Sequence, residues 1–393
     1  MKKILVIGAS ALQLPAIQKA KELGYYVGVV DYNPNAVGIP FADEAFDVST
    51  IDIEGVVRVA RTFGPDGIVT LATDMPVRAV AAACEALGLP GISPETALRA
   101  TDKGEMIQAF EKQGVAHPWY AIVPDYASLK KNADQISFPC IVKPTDNAGS
   151  RGVVLCREKA ELEEAYQYAL GESRGGVVIL EEYLEGPEFS VEVMVTDGKP
   201  HVLQITDKCT TGAPHFVEMG HSQPTRQPVA VQKEIRECAI RAVRAVGINV
   251  GPAHVELIYT KKGPVMVELG ARLGGDFIAT HLVPLSTGID MVEMTIRLAC
   301  GEKIDLSPKW ERGSAIRYFK TPTGTLRKID GMERANKIPG VREVTFVHAV
   351  GETVGEIGSS VDRIGFVIAD APTAREAESI CQKAMDAITV FVE

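Results

Sequence analysis

Several protein classes are excluded by what this 393-residue sequence lacks. It has no uncharged apolar run approaching the roughly 20 residues that a transmembrane helix needs. Its seven cysteines form no CxxC pair and have no metal-ligand spacing, so we expect buried, reduced thiols in a cytoplasmic protein. We find neither an internal repeat nor a low-complexity segment, which excludes solenoids and disordered tails.

Basic residues are also few relative to acidic ones. The chain carries 41 Lys and Arg against 51 Asp and Glu, a net charge of −10, and it has no basic block. This balance is unfavourable for nucleic acid or an anionic membrane as the main partner. We therefore expect small-molecule partners, with any anion site built locally.

What remains is an ordinary globular composition, with 46% hydrophobic residues and enough chain for two or three domains. Residues 1–93 alternate short apolar runs with helical patterns, which predicts a doubly wound parallel sheet. The predicted strands lie at 4–7, 27–30 and 67–71, and the predicted helices at 15–23 and 79–87. Asp31 follows the second strand as in dinucleotide-binding folds, but the segment at Gly8 lacks the G-x-G-x-x-G pattern, so we do not expect NAD.

Beyond residue 93 the pattern changes. Ser93 and Thr101 have the chemistry of N-caps and predict two linking helices, the second running to Gln113. From about 115 to 300 we expect strands with hairpin turns, interrupted by helices near 158–170 and 230–246. The last part of the chain predicts strands at 341–348 and 363–369 and a helix at 373–389.

A loop of small residues at 147–152 joins a strand that ends in Lys143 to a second strand at 153–156. Successive backbone N–H groups of such a loop can turn toward an anion, while Lys143 and Arg151 supply positive charge. Because the loop joins two strands, it is not a P-loop, which must open a helix. On its own, the segment is more typical of a solvated hairpin than of an anion site.

A buried strand that begins at Val177 leads directly into Glu181–Leu184, a Gly-Pro turn and Glu188. Backbone groups of such a hinge can hold an adenine edge, and Glu188 can accept hydrogen bonds from ribose hydroxyls. The alternative is a charged strand end at the surface.

Two apolar segments at 254–259 and 264–269 flank a Lys-Lys-Gly turn signal. If the hairpin centre lies near residue 262, Glu256 pairs with Glu268, and their Cβ atoms lie about 5 Å apart. Like charges so close are unfavourable unless a cation lies between them, and two carboxylates suit Mg²⁺ bound together with substrate phosphates. Arg272 follows in a glycine-rich turn, where its guanidinium suits a phosphate or carboxylate oxygen.

In this order, these segments resemble the ATP-grasp superfamily of carboxylate–amine ligases over essentially the whole chain. The resemblance implies a multidomain α/β and α+β fold with a pre-ATP-grasp parallel sheet, a central ATP-grasp fold and a C-terminal lid-like piece. The implied segments are a pre-ATP-grasp domain at 1–93, linker helices and subdomain A at 94–187, subdomain B with the metal site at 188–305, and a C-terminal subdomain at 306–393.

The resemblance also implies roles for individual residues. The residues that would bind ATP are Lys103, Lys143, Gly149, Ser150, Arg151, Gly152, Glu181, Glu182, Tyr183, Leu184 and Glu188. Glu256 and Glu268 would hold Mg²⁺, or Mn²⁺ in its place. Arg272 would steady the transferring phosphate, and Lys208 is expected to be a second catalytic residue.

One position departs from the family pattern. Gly270 stands where many members have asparagine, which leaves the metal set one ligand short. The 268–276 segment, together with 205–208 and 211–224, resembles the L-amino-acid ligase branch, which joins amino acids into dipeptides. The substrate residues that this implies are His215, Glu218, His221, Arg272 and Gly275. We do not expect zinc at the two histidines, because Pro214 argues against one helical face.

The sequence therefore predicts an ATP- and Mg²⁺-dependent ligase that acts through an acyl phosphate and joins amino acids as its carboxylate and amine substrates. Two alternatives stay open. One is a purine-pathway or carboxyphosphate-forming enzyme of the same superfamily, and the other is a non-catalytic ATP-binding protein. A homodimer is compatible with the sequence.

Overall fold

The structure is a computed structural model that describes residues 1–133, 135–149, 151–213, 215–320 and 322–393. In this part of the chain the strands form four sheets, one parallel and three antiparallel. No helix of the described ranges combines the length and the apolarity that crossing a membrane requires. Two of the antiparallel sheets face each other across the candidate site.

The N-terminal segment folds into the predicted parallel sheet with helices. Its strands are β1 (Lys3–Ile7), β2 (Tyr26–Val30), β3 (Glu44–Phe46) and β4 (Gly67–Val69), and its helices are α1 (Leu14–Glu22), α2 (Ile53–Phe63) and α3 (Val77–Leu87). The strand order is β3-β2-β1-β4, and the central strands are almost fully buried, as expected for a sheet covered on both faces. The Asp31 carboxylate accepts the N–H of Ala9 at 2.8 Å and so closes the first turn.

Two linking helices follow, α4 (Pro94–Arg99) and α5 (Lys103–Lys112). The hydroxyl of Ser93 caps α4 as predicted. The predicted cap of α5 is wrong, because the Asp102 carboxylate accepts the N–H groups of Gly104 and Glu105 at 2.9 and 3.0 Å. The Thr101 hydroxyl instead donates to the Ala97 carbonyl of the preceding helix at 2.7 Å.

A four-stranded antiparallel sheet comes next. Its elements are β5 (Tyr120–Val123), α6 (Tyr126–Asn132), β6 (Cys140–Pro144), β7 (Val154–Cys156), a 3₁₀ turn (Lys159–Glu161), α7 (Leu162–Glu172) and β8 (Val178–Glu182). The order β5-β8-β6-β7 makes β6 and β8 the central pair. One face packs on α7 through an apolar core that includes Tyr166 and Leu180, and this leaves the other face for the site.

The largest sheet begins after a sharp turn at Gly186. Its first elements are β9 (Glu188–Thr196), β10 (Lys199–Thr210), β11 (Glu218–Gln223), α8 (Val229–Val246), β12 (Gly251–Thr260) and β13 (Gly263–Gly270). A π-helical turn (Ile278–Leu282) and the helices α9 (Val283–Thr287) and α10 (Met291–Ala299) follow. An apolar cluster shared by α5, α8 and the sheet covers one face and includes Phe110, Phe189 and Val243.

The C-terminal segment extends that sheet. Its elements are β14 (Gly313–Tyr318), β15 (Gly324–Asp330), α11 (Met332–Asn336), β16 (Val341–Phe346), β17 (Thr353–Val354), β18 (Gly365–Ala371), α12 (Ala374–Asp386) and β19 (Thr389–Val392). The complete order is β13-β12-β9-β10-β11-β14-β18-β16, and β17-β15-β19 form a small separate sheet. The strands β14, β18 and β16 lie after residue 306 and still belong to the large sheet, so this sheet extends across the expected boundary at 305/306. The division of the chain into the four segments given above remains a prediction.

Candidate active site

A cavity of about 920 Å³ lies between the β5–β8 sheet and the larger sheet. Most of the residues predicted to bind the nucleotide line it, namely Lys103, Lys143, Gly149, Arg151, Glu181, Glu182, Tyr183, Leu184 and Glu188. Ser150 lies outside the described residues. Gly152 packs closely against Pro144 and Glu172 and is not among the lining residues of the described part.

Two lysines bring positive charge into this cavity from different elements. Lys103 is the first residue of α5, and its ammonium contacts the Glu268 carboxylate at 2.9 Å and the Asn147 carbonyl at 2.7 Å. Burial alone would lower the pKa of Lys103, but the charge and hydrogen bond of Glu268 act together with the charges of Asp74 and Glu181 and raise it. Lys143 is buried on β6 and pairs with Glu181 at 2.7 Å. Both side chains line the cavity in which the sequence predicts nucleotide phosphates.

The expected hinge follows the end of β8 at Glu182. Because the strand has ended, the backbone groups of Tyr183 and Leu184 lie outside the ladder and can hold an adenine edge. The apolar side chains Ile141, Val153 and Ile258 line the same cavity and form an apolar surface of the kind that a planar ring can pack against. The side chain of Glu181 pairs with Lys143 and therefore does not act as a ligand contact of the hinge.

The expected pairing of Glu256 with Glu268 is confirmed. The two residues lie opposite each other on β12 and β13, and the register shifts next to them because Val267 forms a β-bulge. Both carboxylates line the nucleotide cavity. These two side chains could hold Mg²⁺ or Mn²⁺.

The donor set fits magnesium. Within the described residues, no group of three His, Cys, Asp or Glu side chains is arranged to hold a metal ion. A cation between Glu256 and Glu268 would therefore complete its shell with phosphate oxygens and water, which is the usual way that Mg²⁺ binds beside nucleotides. Such a site needs no asparagine at position 270.

Lys208 lies beside the cavity at the centre of three carboxylates. Its ammonium is 2.5 Å from Glu188, 2.9 Å from Glu256 and 3.4 Å from Glu218, and its side chain is 2% exposed. Burial alone would lower the pKa of Lys208, but Glu188 and Glu256 raise it well above the ordinary value. Lys208 therefore joins the predicted ribose, metal and substrate carboxylates in one cluster.

A second buried cation touches Glu256 from behind. His254 contacts Glu256 at 3.0 Å through Nε2 and Glu192 at 2.5 Å through Nδ1. Burial alone would lower the pKa of His254, but the two carboxylates raise it to about 9. A Cβ added at Gly274 would lie 2.7 Å from His254 Nδ1, so the glycine-rich turn is shaped to pack over this pair.

Arg272 is held by a residue of the N-terminal domain. Its Nε and Nη2 atoms donate to the two oxygens of Asp74 at 3.0 and 3.2 Å, so the pair is bidentate. A Cβ added at Gly270 would lie 2.6 Å from Asp74 Oδ1 and 3.0 Å from Arg272 Nε. The absence of a side chain at position 270 therefore leaves room for this ion pair.

The predicted substrate residues do not all come together. Glu218 lines the nucleotide cavity from β11 and contacts Lys208. His221 is buried on the same strand and contacts Asp276 at 3.3 Å. His215 is exposed and outside any strand, so the structure does not bring it to the site. Gly275 precedes Asp276 in the turn that leads to the π-helical segment.

Asp276 links this region to the C-terminal segment. Both of its oxygens accept hydrogen bonds from Arg363 at 2.7 Å, and the guanidinium of Arg363 lies 3.8 Å from the centre of the Tyr318 ring. Burial alone would raise the pKa of Asp276, but the hydrogen bonds from Arg363 and His221 hold it far below the ordinary range. The backbone of Asp276 is left-handed, with a φ of 48°, which is costly and shows how firmly its neighbours hold this turn.

Comparison with known proteins agrees with this geometry. The ATP-grasp domain model matches residues 136–280, and the model of the L-amino acid ligase C-terminal domain 2 matches residues 317–393. An uncharacterised protein, y4rH of Sinorhizobium fredii, is 31% identical over 354 residues, which cover 88% of this chain and 73% of that protein. The chain belongs to the ATP-grasp superfamily.

The ATP-grasp superfamily includes ATP-dependent ligases that form carbon–nitrogen bonds, and this chain is one of these ligases. The alanine–anticapsin ligase of Bacillus subtilis is 26% identical over 323 residues, which cover 76% of this chain and 67% of that enzyme. The crystal structure of an L-amino acid ligase from Bacillus licheniformis superposes with a TM-score of 0.86 at 24% identity, over 100% of this chain and 99% of that one. At that identity the superposition shows the common fold.

Sequence reasoning missed several residues of this ATP-grasp site. His254 could have been found, because it lies two residues before Glu256 and so on the same face of the strand. Phe216 also lines the cavity, with its ring centre 6.2 Å from that of Tyr183. Asp74 and Arg363 carried no local signal, because each acts through a partner that is distant in the sequence.

Proposed function

We propose that this ligase joins two amino acids into a dipeptide, with ATP as the energy source and an acyl phosphate as the intermediate. The observation that carries the proposal is the position of Arg363. This residue belongs to the 317–393 segment that matches the L-amino acid ligase C-terminal domain, and it binds Asp276, which contacts His221. Arg363 also donates to the carbonyl of Glu218 at 3.0 Å, and Glu218 lines the cavity. The part of the chain typical of that branch therefore supports a residue that lines the cavity.

The reaction follows from the two halves of the site. A carboxylate oxygen of the donor amino acid attacks the γ-phosphorus of ATP, the bond to the bridging oxygen breaks, and ADP leaves. The neutral amine of the acceptor then attacks the acyl carbon, phosphate leaves with the bonding electrons, and the amine loses its proton. No covalent bond to the protein is needed, so positioning and charge neutralisation supply the catalysis.

We assign the roles in this reaction to the chain's own residues. Lys103 and Lys143 neutralise phosphate charge in the cavity, and Arg272 faces the transferring phosphoryl group. Mg²⁺, when bound between Glu256 and Glu268, would add its charge to the same phosphates. Lys208 keeps the carboxylates around it in place.

Glu218 is the natural partner for the donor's ammonium group. Its carboxylate lines the cavity and touches Lys208 at 3.4 Å, a long contact that leaves room for a second cation. Arg363 donates to the carbonyl of Glu218 at 3.0 Å and also binds Asp276, which contacts His221. The donor's side chain would then face the wall built by the C-terminal segment.

Trapping of the acyl phosphate tests the proposal. With Mg-ATP, one amino acid and hydroxylamine, we expect the hydroxamate of that amino acid to form together with ADP and phosphate. Formation should require ATP and stop when the α-carboxylate is blocked as an ester. If instead only bicarbonate or an aminoribonucleotide stimulates phosphate release, the purine-like alternative replaces this proposal.

A further inference from the structure

A second cavity, of about 1250 Å³, opens next to the nucleotide cavity. Lys103, Arg151 and Glu268 line both cavities, so the second one begins where the nucleotide phosphates are expected to end. Its opposite wall belongs to the N-terminal domain and includes residues between 73 and 79. This is the space from which an acceptor amine would reach an acyl phosphate.

The charges that line the second cavity do not balance. The cations are Arg78, Lys103, Arg151, Arg174 and Arg272, and the carboxylates are Asp74, Asp146 and Glu268. Glu268 is already paired with Lys103. Asp74 is already paired with Arg272. Asp146 accepts the backbone N–H groups of Arg174 and Gly175.

Three guanidinium groups therefore remain without a carboxylate partner among the described residues. They are those of Arg78, Arg151 and Arg174. Arg151 lines both cavities and belongs to the loop that is expected to close over the phosphates, so a bound nucleotide would be its anionic partner. Arg78 and Arg174 are left without one.

Arg78 lies where a cation is unfavourable. It belongs to the first turn of α3, an 11-residue helix that has no acidic residue in that turn and no side-chain cap. The helix macrodipole makes this end electropositive, so a second positive charge there costs free energy unless an anion is bound. One guanidinium nitrogen donates to the neutral Thr101 hydroxyl at 2.7 Å, and the other two point to no acceptor in the described part of the chain.

Arg174 reaches the same wall from the opposite side of the cavity. It follows α7 in subdomain A, and its guanidinium contacts the sulfur of Met75. Met75 lies three residues before Arg78 and two residues before α3 begins. Two unpaired guanidinium groups from different domains thus approach one end of the acceptor cavity.

We propose that the acceptor amino acid carries a second anionic group, a side-chain carboxylate or phosphate, and that Arg78 and Arg174 bind the acceptor's two anionic groups. This inference rests on the dipeptide-forming function proposed above. A guanidinium binds a carboxylate or phosphate through two parallel N–H groups, so the α-carboxylate of an ordinary amino acid satisfies one of the two arginines. A second acidic group satisfies the other.

Isosteric acceptors test the charge requirement directly. With Mg-ATP and L-alanine as donor, the enzyme is assayed with two isosteric pairs, glutamate against glutamine and aspartate against asparagine. O-phosphoserine is compared with serine, its neutral counterpart without the phosphate. We expect kcat/KM to be at least about tenfold higher for an acidic member of a pair. The pair with the largest ratio distinguishes carboxylate from phosphate, and fragmentation of the dipeptide must place the acidic residue at its C-terminal end.

Arginine variants then test the assignment. One of the variants Arg78→Gln and Arg174→Gln should remove most of the roughly tenfold preference in kcat/KM for the acidic acceptor, because it loses the partner of the second acidic group. The other should lower kcat/KM for acidic and neutral acceptors alike, because both carry the α-carboxylate. Arg58→Gln is the matched control, because Arg58 belongs to the same domain, is 69% exposed and lies outside the cavity. It should leave this preference unchanged.

The outcomes separate the two proposals. If dipeptides form but acidic acceptors and their isosteres react equally well, the acidic-acceptor inference is wrong and the dipeptide function stands. If an acidic preference survives both arginine substitutions, the assignment to this wall is wrong. If no pair of amino acids yields a dipeptide, both proposals are overturned.

Discussion

Glu256 and Glu268 lie directly opposite each other on β12 and β13, and the bulge at Val267 is what brings them together. The tight turn pairs Thr260 with Gly263, a register that without the bulge would place Val267 opposite Glu256. Glu256 is held by Lys208 and His254, and Glu268 is held by Lys103, so protein cations already offset the repulsion between the two carboxylates. Both carboxylates line the cavity, and we expect a Mg²⁺ ion that arrives with the nucleotide phosphates to bind between them.

Glu268→Gln should therefore leave the fold intact and lower ATP turnover by about a hundredfold or more, because a metal charge at the transferring phosphate would be lost. Phosphate release at saturating Mg²⁺ measures the effect, and circular dichroism checks the fold. Glu54→Gln, at a side chain that is 90% exposed, is the control. Wild-type turnover in Glu268→Gln would exclude the metal assignment.

Asp74→Asn should lower kcat by about tenfold or more with little change in the KM for ATP. Asp74 is the partner that holds Arg272, whose side chain is 11% exposed, and a neutral amide holds a guanidinium less firmly. Steady-state kinetics separate the two constants, and Asp47→Asn at an exposed position is the control. An unchanged kcat would show that Arg272 keeps its position without Asp74.

His221→Ala should raise the KM for the donor amino acid more than the KM for ATP. The imidazole is 1% exposed and contacts Asp276, so its removal loosens the wall next to Glu218 without touching the nucleotide cavity. Titrations of each substrate at saturating levels of the others measure both constants. His201→Ala at an exposed position of β10 should change neither, and an equal rise of both constants in His221→Ala would contradict the assignment.

Glu302 predicts a pH dependence of stability. Its carboxylate accepts hydrogen bonds from Lys2 and Tyr25 at 2.6 Å and from Arg297 at 2.8 Å. The bonds from Lys2 and Tyr25, opposed by burial, lower the pKa of Glu302 to about 2. Because this lies below the unfolded value of about 4.3, the stabilisation is complete above about pH 5 and is lost as the pH falls toward 2.

Glu302→Gln should consequently reduce the free energy of unfolding at pH 7 by about 1 kcal/mol, a value suited to a partly exposed ionic group. The difference from wild type should shrink as the pH falls below about 4. Urea unfolding at a series of pH values measures it. A difference that stays constant across that range would show that the charge of Glu302 contributes nothing.

The local elements and the metal pair could be predicted because they depend on short-range patterns. Apolar periodicity located most strands and helices, and a turn signal set the register of the Glu256–Glu268 hairpin. The hairpin turn is centred between residues 261 and 262, half a residue before the predicted centre at 262. The extra residue at the Val267 bulge shifts the register by one and so restores the predicted pairing of Glu256 with Glu268. Thr101 was mistaken for the cap of α5 because Asp102, one residue later, has the same capping chemistry with a charged oxygen.

Long-range partners could not be predicted. Arg272 and Asp74 are 198 residues apart, and the sequence around either residue contains no pattern that indicates the other as its partner. His215 and His221 were expected to act together, but the chain places one at the surface and the other inside β11. Which residues face a cavity is decided by the packing of two sheets, and a single sequence does not encode that packing in any local pattern.

The most direct test of the central claim is the stoichiometry of the complete reaction. Purified enzyme with Mg-ATP and pairs of amino acids should release ADP and phosphate and form a dipeptide in equal amounts, with little phosphate when either amino acid is omitted. Mass spectrometry identifies the dipeptide, and a coupled assay counts the phosphate. Phosphate release that no amino-acid pair stimulates, and that bicarbonate or an aminoribonucleotide does, would contradict the dipeptide-ligase assignment.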